Sequence, residues 1–240
     1  MNEEAGRLMT RREFAMNAGA LGAAIVPSAA LGAQSAIDQN TIRRRGVGLR
    51  GLDAARASAG LTLFAPMMGD GTVYLISLNG KIVHTWRMPY PPGMYGYLTE
   101  TGTLFYNGKI PNDTFLGKTP FKGGAALEAD WNGRILWEVR EPNHHHDGLL
   151  LKNGNVLLLC AAELPMETAS RVKGGRPGTE ANGKIWADYL VEFTKDGKKV
   201  WEWRTWDHLD PGEYPIPLIQ NERSEWTHGN AIAELAMEIC

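Results

Sequence analysis

Three consecutive histidines and a carboxylate, His144-His145-His146-Asp147, stand just before an apolar run that turns at Asn153-Gly154 and continues Asn155-Val156-Leu157. A second polar cluster, Trp226-Thr227-His228-Gly229-Asn230, precedes the shorter apolar pair Ala231-Ile232. Imidazole is the side chain best suited to moving a proton near neutral pH, and its unprotonated nitrogen can attack an electrophile. Histidines that recur at the heads of successive strands therefore point to a shared reaction centre. His145, His146 and His228 are the candidate catalytic residues. Asp147, Asn230 and Arg171 are the candidate substrate-binding residues.

Each of these has a plainer reading. A metal centre needs three or four converging ligands. Adjacent residues of an extended strand face opposite ways, so the three histidines are not expected to close on one ion. A solvated turn remains open for His145 and His146, and a backbone-bonded loop residue for His228. Asp147 either orients a histidine through its ring N–H or caps a turn. Asn230 fits a turn or a supporting contact. Arg171, Lys173 and Arg176 lie in a Gly-rich loop, as solvated charge or as a lid that attracts an anion. His84 and His208 read as structural. One of Tyr95, Tyr97 and Tyr106 could stack on an aromatic ligand.

The elements that must position these groups are β-hairpins. Val73–Arg87, Ala126–Arg140 and Tyr189–Arg204 share one pattern: an apolar strand, an Asn-Gly or Asp-Gly turn, a basic residue, a second apolar strand and a tryptophan. Asn-Gly and Asp-Gly supply the positive φ of tight two-residue turns. Shorter pairs at Tyr97–Tyr106 and Leu149–Leu159 lie between them. Two hairpins per repeat give the four strands of a propeller blade, and the turn glycines Gly80, Gly133 and Gly197 recur at or beyond the roughly 40 to 50 residues that such a blade needs. The longer second interval holds the polar, Gly-rich stretch Glu163–Ala187. The fold class is all-β, a propeller of four-stranded blades, with about three to three and a half blades present over residues 61–240. Trp86, Trp137, Trp201 and Trp203 are expected in the packing between blades. The stretch Ala233–Cys240 has no Asn-Gly turn, so the chain reads as truncated or frameshifted near residue 236. An open arc of blades leaves sheet edges uncovered, which makes a homo-oligomer an expectation.

The chain has 240 residues, 8 tryptophans, 28 glycines and a net charge of −2. Near-neutral charge argues against nucleic acid as a partner. Thr10-Arg11-Arg12-Glu13-Phe14 is a twin-arginine pattern, followed by the weakly apolar Ala15–Val26 and small residues to Ala33. Residues 1–33 read as a twin-arginine signal peptide and 34–60 as a linker. The translocation machinery is then a partner and the periplasm the destination. Cys160 ends an apolar run and reads as a buried strand thiol, and Cys240 is the last residue. No cofactor is implied.

Together these motifs resemble the bacterial arylsulfotransferases, which transfer sulfate without a nucleotide donor. The residues that carry the resemblance are Asp70–Ile76, Val83-His84-Thr85-Trp86, His145-His146-Asp147 before Asn153-Gly154-Asn155, and Trp226–Asn230. It spans roughly Leu61 to Leu235. It implies a six-bladed propeller, exported, that passes a sulfuryl group from an aryl sulfate to a phenol through a sulfohistidine. One of His145 and His146, together with His228, matches the family's active-site histidines. The arginine and the sulfurylated histidine of the family pattern fall beyond Cys240. A sulfate ester disperses negative charge, which cationic donors stabilise as the transition state forms. Two other readings compete: a propeller that only binds a ligand or protein, or an inactive fragment; and a quinone-dependent dehydrogenase propeller, whose docking repeats are absent here.

Overall fold

The computed structural model describes residues 49, 51–217 and 222–235. The twin-arginine segment, most of the linker before residue 49, and Cys240 lie outside the described residues. Nearly all regular structure is strand. The strands are β1 Leu61–Phe64, β2 Thr72–Ser77, β3 Ile82–Arg87, β4 Pro92–Leu98, β5 Leu104–Lys109, β6 Gly124–Ala129, β7 Ile135–Arg140, β8 His144–Leu150, β9 Val156–Glu163, β10 Trp186–Phe193 and β11 Lys199–Arg204. They form three antiparallel sheets of consecutive neighbours: β1-β2-β3, β4-β5-β6-β7 and β8-β9-β10-β11. Sheets of this size and connectivity are the blades of a β-propeller.

The expected hairpins all form, with one difference in their turns. Gly80, Gly102, Gly133, Gly154 and Gly197 have φ between +75° and +88°, while the residues before them do not enter the positive region. Each glycine N–H donates three residues back, as Gly80 does to the Ser77 carbonyl at 2.9 Å and Gly133 to Asp130 at 3.0 Å. The loops therefore hold three residues, a type I turn closed by a left-handed glycine, rather than two. Side chains at the first turn position reinforce them. Asp130 Oδ1 accepts from the Asn132 and Arg134 N–H groups at 2.9 and 3.0 Å.

The chain divides into two units. The first holds β1–β3. Within it Val73, Leu75 and Trp86 are buried, and His84 meets the Trp86 ring edge-on at 4.3 Å, a structural placement.

The second unit holds β4–β11 and all the candidate catalytic histidines. Its two sheets share one core. Phe105, Ala126 and Val139 from one sheet pack with Val156, Leu158, Cys160, Tyr189, Val191 and Phe193 from the other. Trp137 packs against this core, whereas Trp201 on the edge strand β11 is 44% exposed and fills no interior space. Cys160 is fully buried, and burial pushes its thiol pKa well up. Glu128 ties the sheets further. Its carboxylate accepts from Thr103, Trp137 and Lys195.

The Gly-rich stretch Glu163–Ala187 keeps its charged residues Arg171, Lys173 and Arg176 exposed but buries a few apolar side chains. It contains a short helix, α1 Met166–Arg171. Leu164, Val172, Ile185 and Ala187 close a second small core with Ile216 and Trp226. That core fixes the segment that carries His228.

Candidate active site

Strand β8 begins with the histidines, and its pairing explains their arrangement. Leu150, Leu149 and Gly148 face Val156, Leu157 and Leu158 in turn, and the next pair is His144 with Cys160. His145, His146 and Asp147 thus oppose Leu159 alone, a bulge of two extra residues. His146 absorbs the excess at φ +48°, a conformation uncommon for a residue with a Cβ and concentrated at functional sites. The expectation that neighbouring histidines face opposite ways fails here because the bulge breaks the alternation. His145 Nδ1 and His146 Nδ1 lie 2.7 Å apart.

Phe121–Gly123 runs along the other edge of this bulge. The His146 N–H donates to the Phe121 carbonyl at 3.1 Å, and the Gly123 N–H to the His144 carbonyl at 2.9 Å. The Phe121 ring lies on the His146 ring, with centroids 4.6 Å apart and planes 18° apart.

His144 is structural. It is fully buried. Its Nδ1 accepts from the Gly124 N–H at 3.1 Å, and its Nε2 lies 3.2 Å from the Asp147 carbonyl, to which it donates. Burial holds its pKa down at about 3, so the ring is neutral. A Cβ on Gly123 would sit 2.3 Å from His144 Nδ1. Gly123→Ala is expected to cost about 1–3 kcal/mol through overpacking, measured as a lower midpoint in chemical denaturation.

His145 reaches the other way. Its Nε2 is 3.0 Å from Asp188 Oδ1, and both side chains are buried. Asp188 lies in β10, and its second oxygen accepts from the Gly229 N–H at 2.6 Å. Burial alone would raise the Asp188 pKa. Hydrogen bonds from His145, Gly229 and Thr227, with the imidazole charge, bring it below the usual carboxylate value. Asp188 is therefore ionised at neutral pH.

The segment Trp226–Asn230 is docked on these same groups. The Asp188 N–H donates to Thr227 Oγ1 at 2.7 Å, and the Trp226 N–H donates to the Trp186 carbonyl at 2.7 Å. Asp147 Oδ2 accepts from the Ile232 N–H at 2.9 Å, and Oδ1 from the Gly148 N–H at 2.8 Å. His228 is thereby set beside His146, ring edge to face, at 5.1 Å. Its Nδ1 bonds Glu225 Oε2 at 2.5 Å, and its side chain is 41% exposed. Three imidazoles from two distant segments thus meet around Phe121. The buried pair is anchored on a carboxylate, and the third ring stands at the rim.

A family model described as Arylsulfotransferase (ASST) matches residues 102–236, more than half of the chain and every residue of this cluster. This chain belongs to the arylsulfotransferase family. Comparison with curated proteins gives no match.

In this arylsulfotransferase family member the other candidates take different places. The Asp147 carboxylate bonds two backbone N–H groups and no ring, so it caps and clamps backbone. Asn230 is exposed and donates to the His228 carbonyl at 3.3 Å. Arg171 is exposed on α1 and paired with Asp210 at 2.6 Å; no contact joins it to the histidines among the described residues. His208 stacks on Trp203 at 4.7 Å. Tyr97 accepts from the Leu150 N–H at 2.9 Å, and Tyr106 donates to the Tyr90 carbonyl at 2.7 Å. Tyr95 alone of the three is exposed, at 46%.

Sequence reasoning missed Asp188, Phe121 and Glu225. A carboxylate between Ala187 and Tyr189 in a mostly apolar strand was the one signal that could have found Asp188.

The buried rings also set a pH response. Burial, then the charges of His145 and His228, lower the His146 pKa to about 4. His144 lies lower still. Unfolded histidine titrates near 6.5. Below that pH the unfolded chain binds protons that the folded chain does not. This contribution to stability is therefore complete above pH 6.5 and is lost progressively as pH falls toward about 4. Thermal melts between pH 7.5 and 4.5 should show the midpoint falling, most steeply below pH 6.5.

Proposed function

We propose that this protein is an exported arylsulfotransferase that moves a sulfuryl group from an aryl sulfate to a phenol through a sulfohistidine. The observation that carries the reading is the meeting of His145, His146 and His228 in one partly buried site inside the family-matched region. The leaving phenol needs a proton and the accepting phenol must lose one, and imidazoles in contact serve both steps. Protonated rings and ring N–H groups also stabilise charge on the sulfuryl oxygens. Passage through nitrogen divides the transfer into two displacements at sulfur. In the first the S–O bond to the donor phenol breaks as S–N forms. In the second the acceptor oxygen reverses this.

The test is initial velocity with nitrophenyl sulfate and phenol both varied. Two displacements predict parallel double-reciprocal lines. Release of nitrophenol that does not depend on phenol would contradict the reading. Binding of nitrophenyl sulfate with no turnover would favour a binding module instead.

The twin-arginine pattern at Arg11-Arg12 supports export to the periplasm. Replacing both with lysine should leave the precursor in the cytoplasm on cell fractionation; unchanged periplasmic recovery would contradict that route.

A further inference from the structure

The hydrogen bonds around Asp188 fix more than the position of a ring. Asp188 is ionised and both its oxygens accept. His145 Nε2, at 3.0 Å, must therefore carry a hydrogen. In the unprotonated pair, His145 Nδ1 is then a lone pair, and the 2.7 Å contact requires His146 Nδ1 to carry the hydrogen. His146 Nε2 is left bare. It has no hydrogen-bond partner among the described residues, and the ring keeps 8% exposure. Phe121 covers the face of this ring and His228 meets it edge-on.

We propose that Asp188 is a positioning residue that acts through His145 to present His146 Nε2 as the lone pair that takes the acceptor phenol's proton. This rests on the sulfuryl-transfer reading above. The phenol O–H breaks and its proton bonds His146 Nε2. The hydrogen on His146 Nδ1 crosses to His145 Nδ1, and the positive charge comes to rest on His145 beside Asp188. The phenol oxygen bonds sulfur as the S–N bond of the sulfohistidine breaks, with nitrogen keeping the pair. Run backwards from the donor side, the same relay delivers a proton to the departing phenol. Charged and titratable groups facing the relay are Asp188, His144, His228 and, through His228, Glu225.

Asp188→Asn makes the inference testable, because its orientation is determined. The Gly229 N–H donates to the second oxygen at 2.6 Å, so the amide carbonyl must stay there and its NH2 group must face His145 Nε2. That nitrogen becomes an acceptor, and both imidazoles reverse tautomer. His146 then carries its hydrogen on Nε2 and has no lone pair to offer. A wrong tautomer behind intact geometry costs on the order of 10⁴-fold in the serine protease triad.

The experiment is ¹⁵N NMR of the full chain labelled in histidine, at pH 8 and without substrate, on the native protein and on Asp188→Asn. The native His146 should show a protonated Nδ1 and an unprotonated Nε2. The variant should show the reverse, with a loss of transfer of roughly 10²- to 10⁴-fold. A native His146 with its hydrogen on Nε2, or a variant with unchanged tautomers and full activity, would overturn the relay. The native spectrum decides even if the variant fails to fold. Predicted tautomers in a protein that transfers no sulfuryl group would uphold the Asp188–His145–His146 geometry and sink the transfer reading alone.

Discussion

Replacing His146 with asparagine should lower sulfuryl transfer to phenol by about 10²- to 10⁴-fold, the usual worth of a positioned acid–base group. Asparagine is the informative choice because it tolerates the left-handed backbone better than other side chains. At φ +48° alanine would add strain to the chemical loss, and asparagine keeps the two apart. Thermal melting of the variant should stay close to that of the native protein. Its response to acid should weaken, because one of the two neutral buried rings is gone. Initial rates with nitrophenyl sulfate and phenol, measured beside the melts, check both halves. Full activity in a folded His146→Asn protein would remove His146 from the chemistry.

Asp188→Ala should have the largest effect on stability. This carboxylate accepts from His145 Nε2 and from the Gly229 N–H, and Thr227 also bonds it. Truncation leaves those donors buried without an acceptor. Breaking a buried pair by removing one partner costs about 3–5 kcal/mol. The loss should appear as a lower urea midpoint. Asp188→Asn keeps the Gly229 bond and should lose much less. The native Asp188 carboxylate adds a pH dependence of its own. Its pKa lies below the unfolded value, so its contribution is present above that value and disappears as pH falls through the folded one. The alanine variant should therefore lose part of the native protein's acid sensitivity. Equal urea midpoints for Asp188→Ala and the native protein would show that the carboxylate bears no structural weight.

The hairpins were legible because their signal is local. A glycine after asparagine or aspartate, flanked by apolar runs, writes the turn within a few residues. The type I turns with a left-handed glycine are one residue longer than the two-residue form and need positive φ at the glycine alone. The histidines were legible as a group because they are adjacent. Their geometry was not. The bulge in β8 depends on where β9 lies, and the only local trace is Gly148, where a Cβ would sit 2.7 Å from the Leu158 side chain. Asp188 was hidden for the same reason. It lies in a strand that is otherwise mostly apolar and meets His145 only because β9 separates β8 from β10 in the sheet. Phe121 precedes β6 and reaches His146 by backbone pairing that no periodicity reports. Arg171 shows the converse: a cation in a Gly-rich stretch suggested an anion site, yet Asp210, 39 residues on, takes its guanidinium.

Following both products at once separates sulfuryl transfer from hydrolysis. The protein is incubated with nitrophenyl sulfate and excess phenol, and nitrophenol, phenyl sulfate and inorganic sulfate are measured together. Transfer with the histidine cluster moving the protons predicts one phenyl sulfate for each nitrophenol released, with little inorganic sulfate, and loss of both products in His146→Asn. Inorganic sulfate in place of phenyl sulfate would make the protein a hydrolase, and no release at all would leave a site that binds without catalysing.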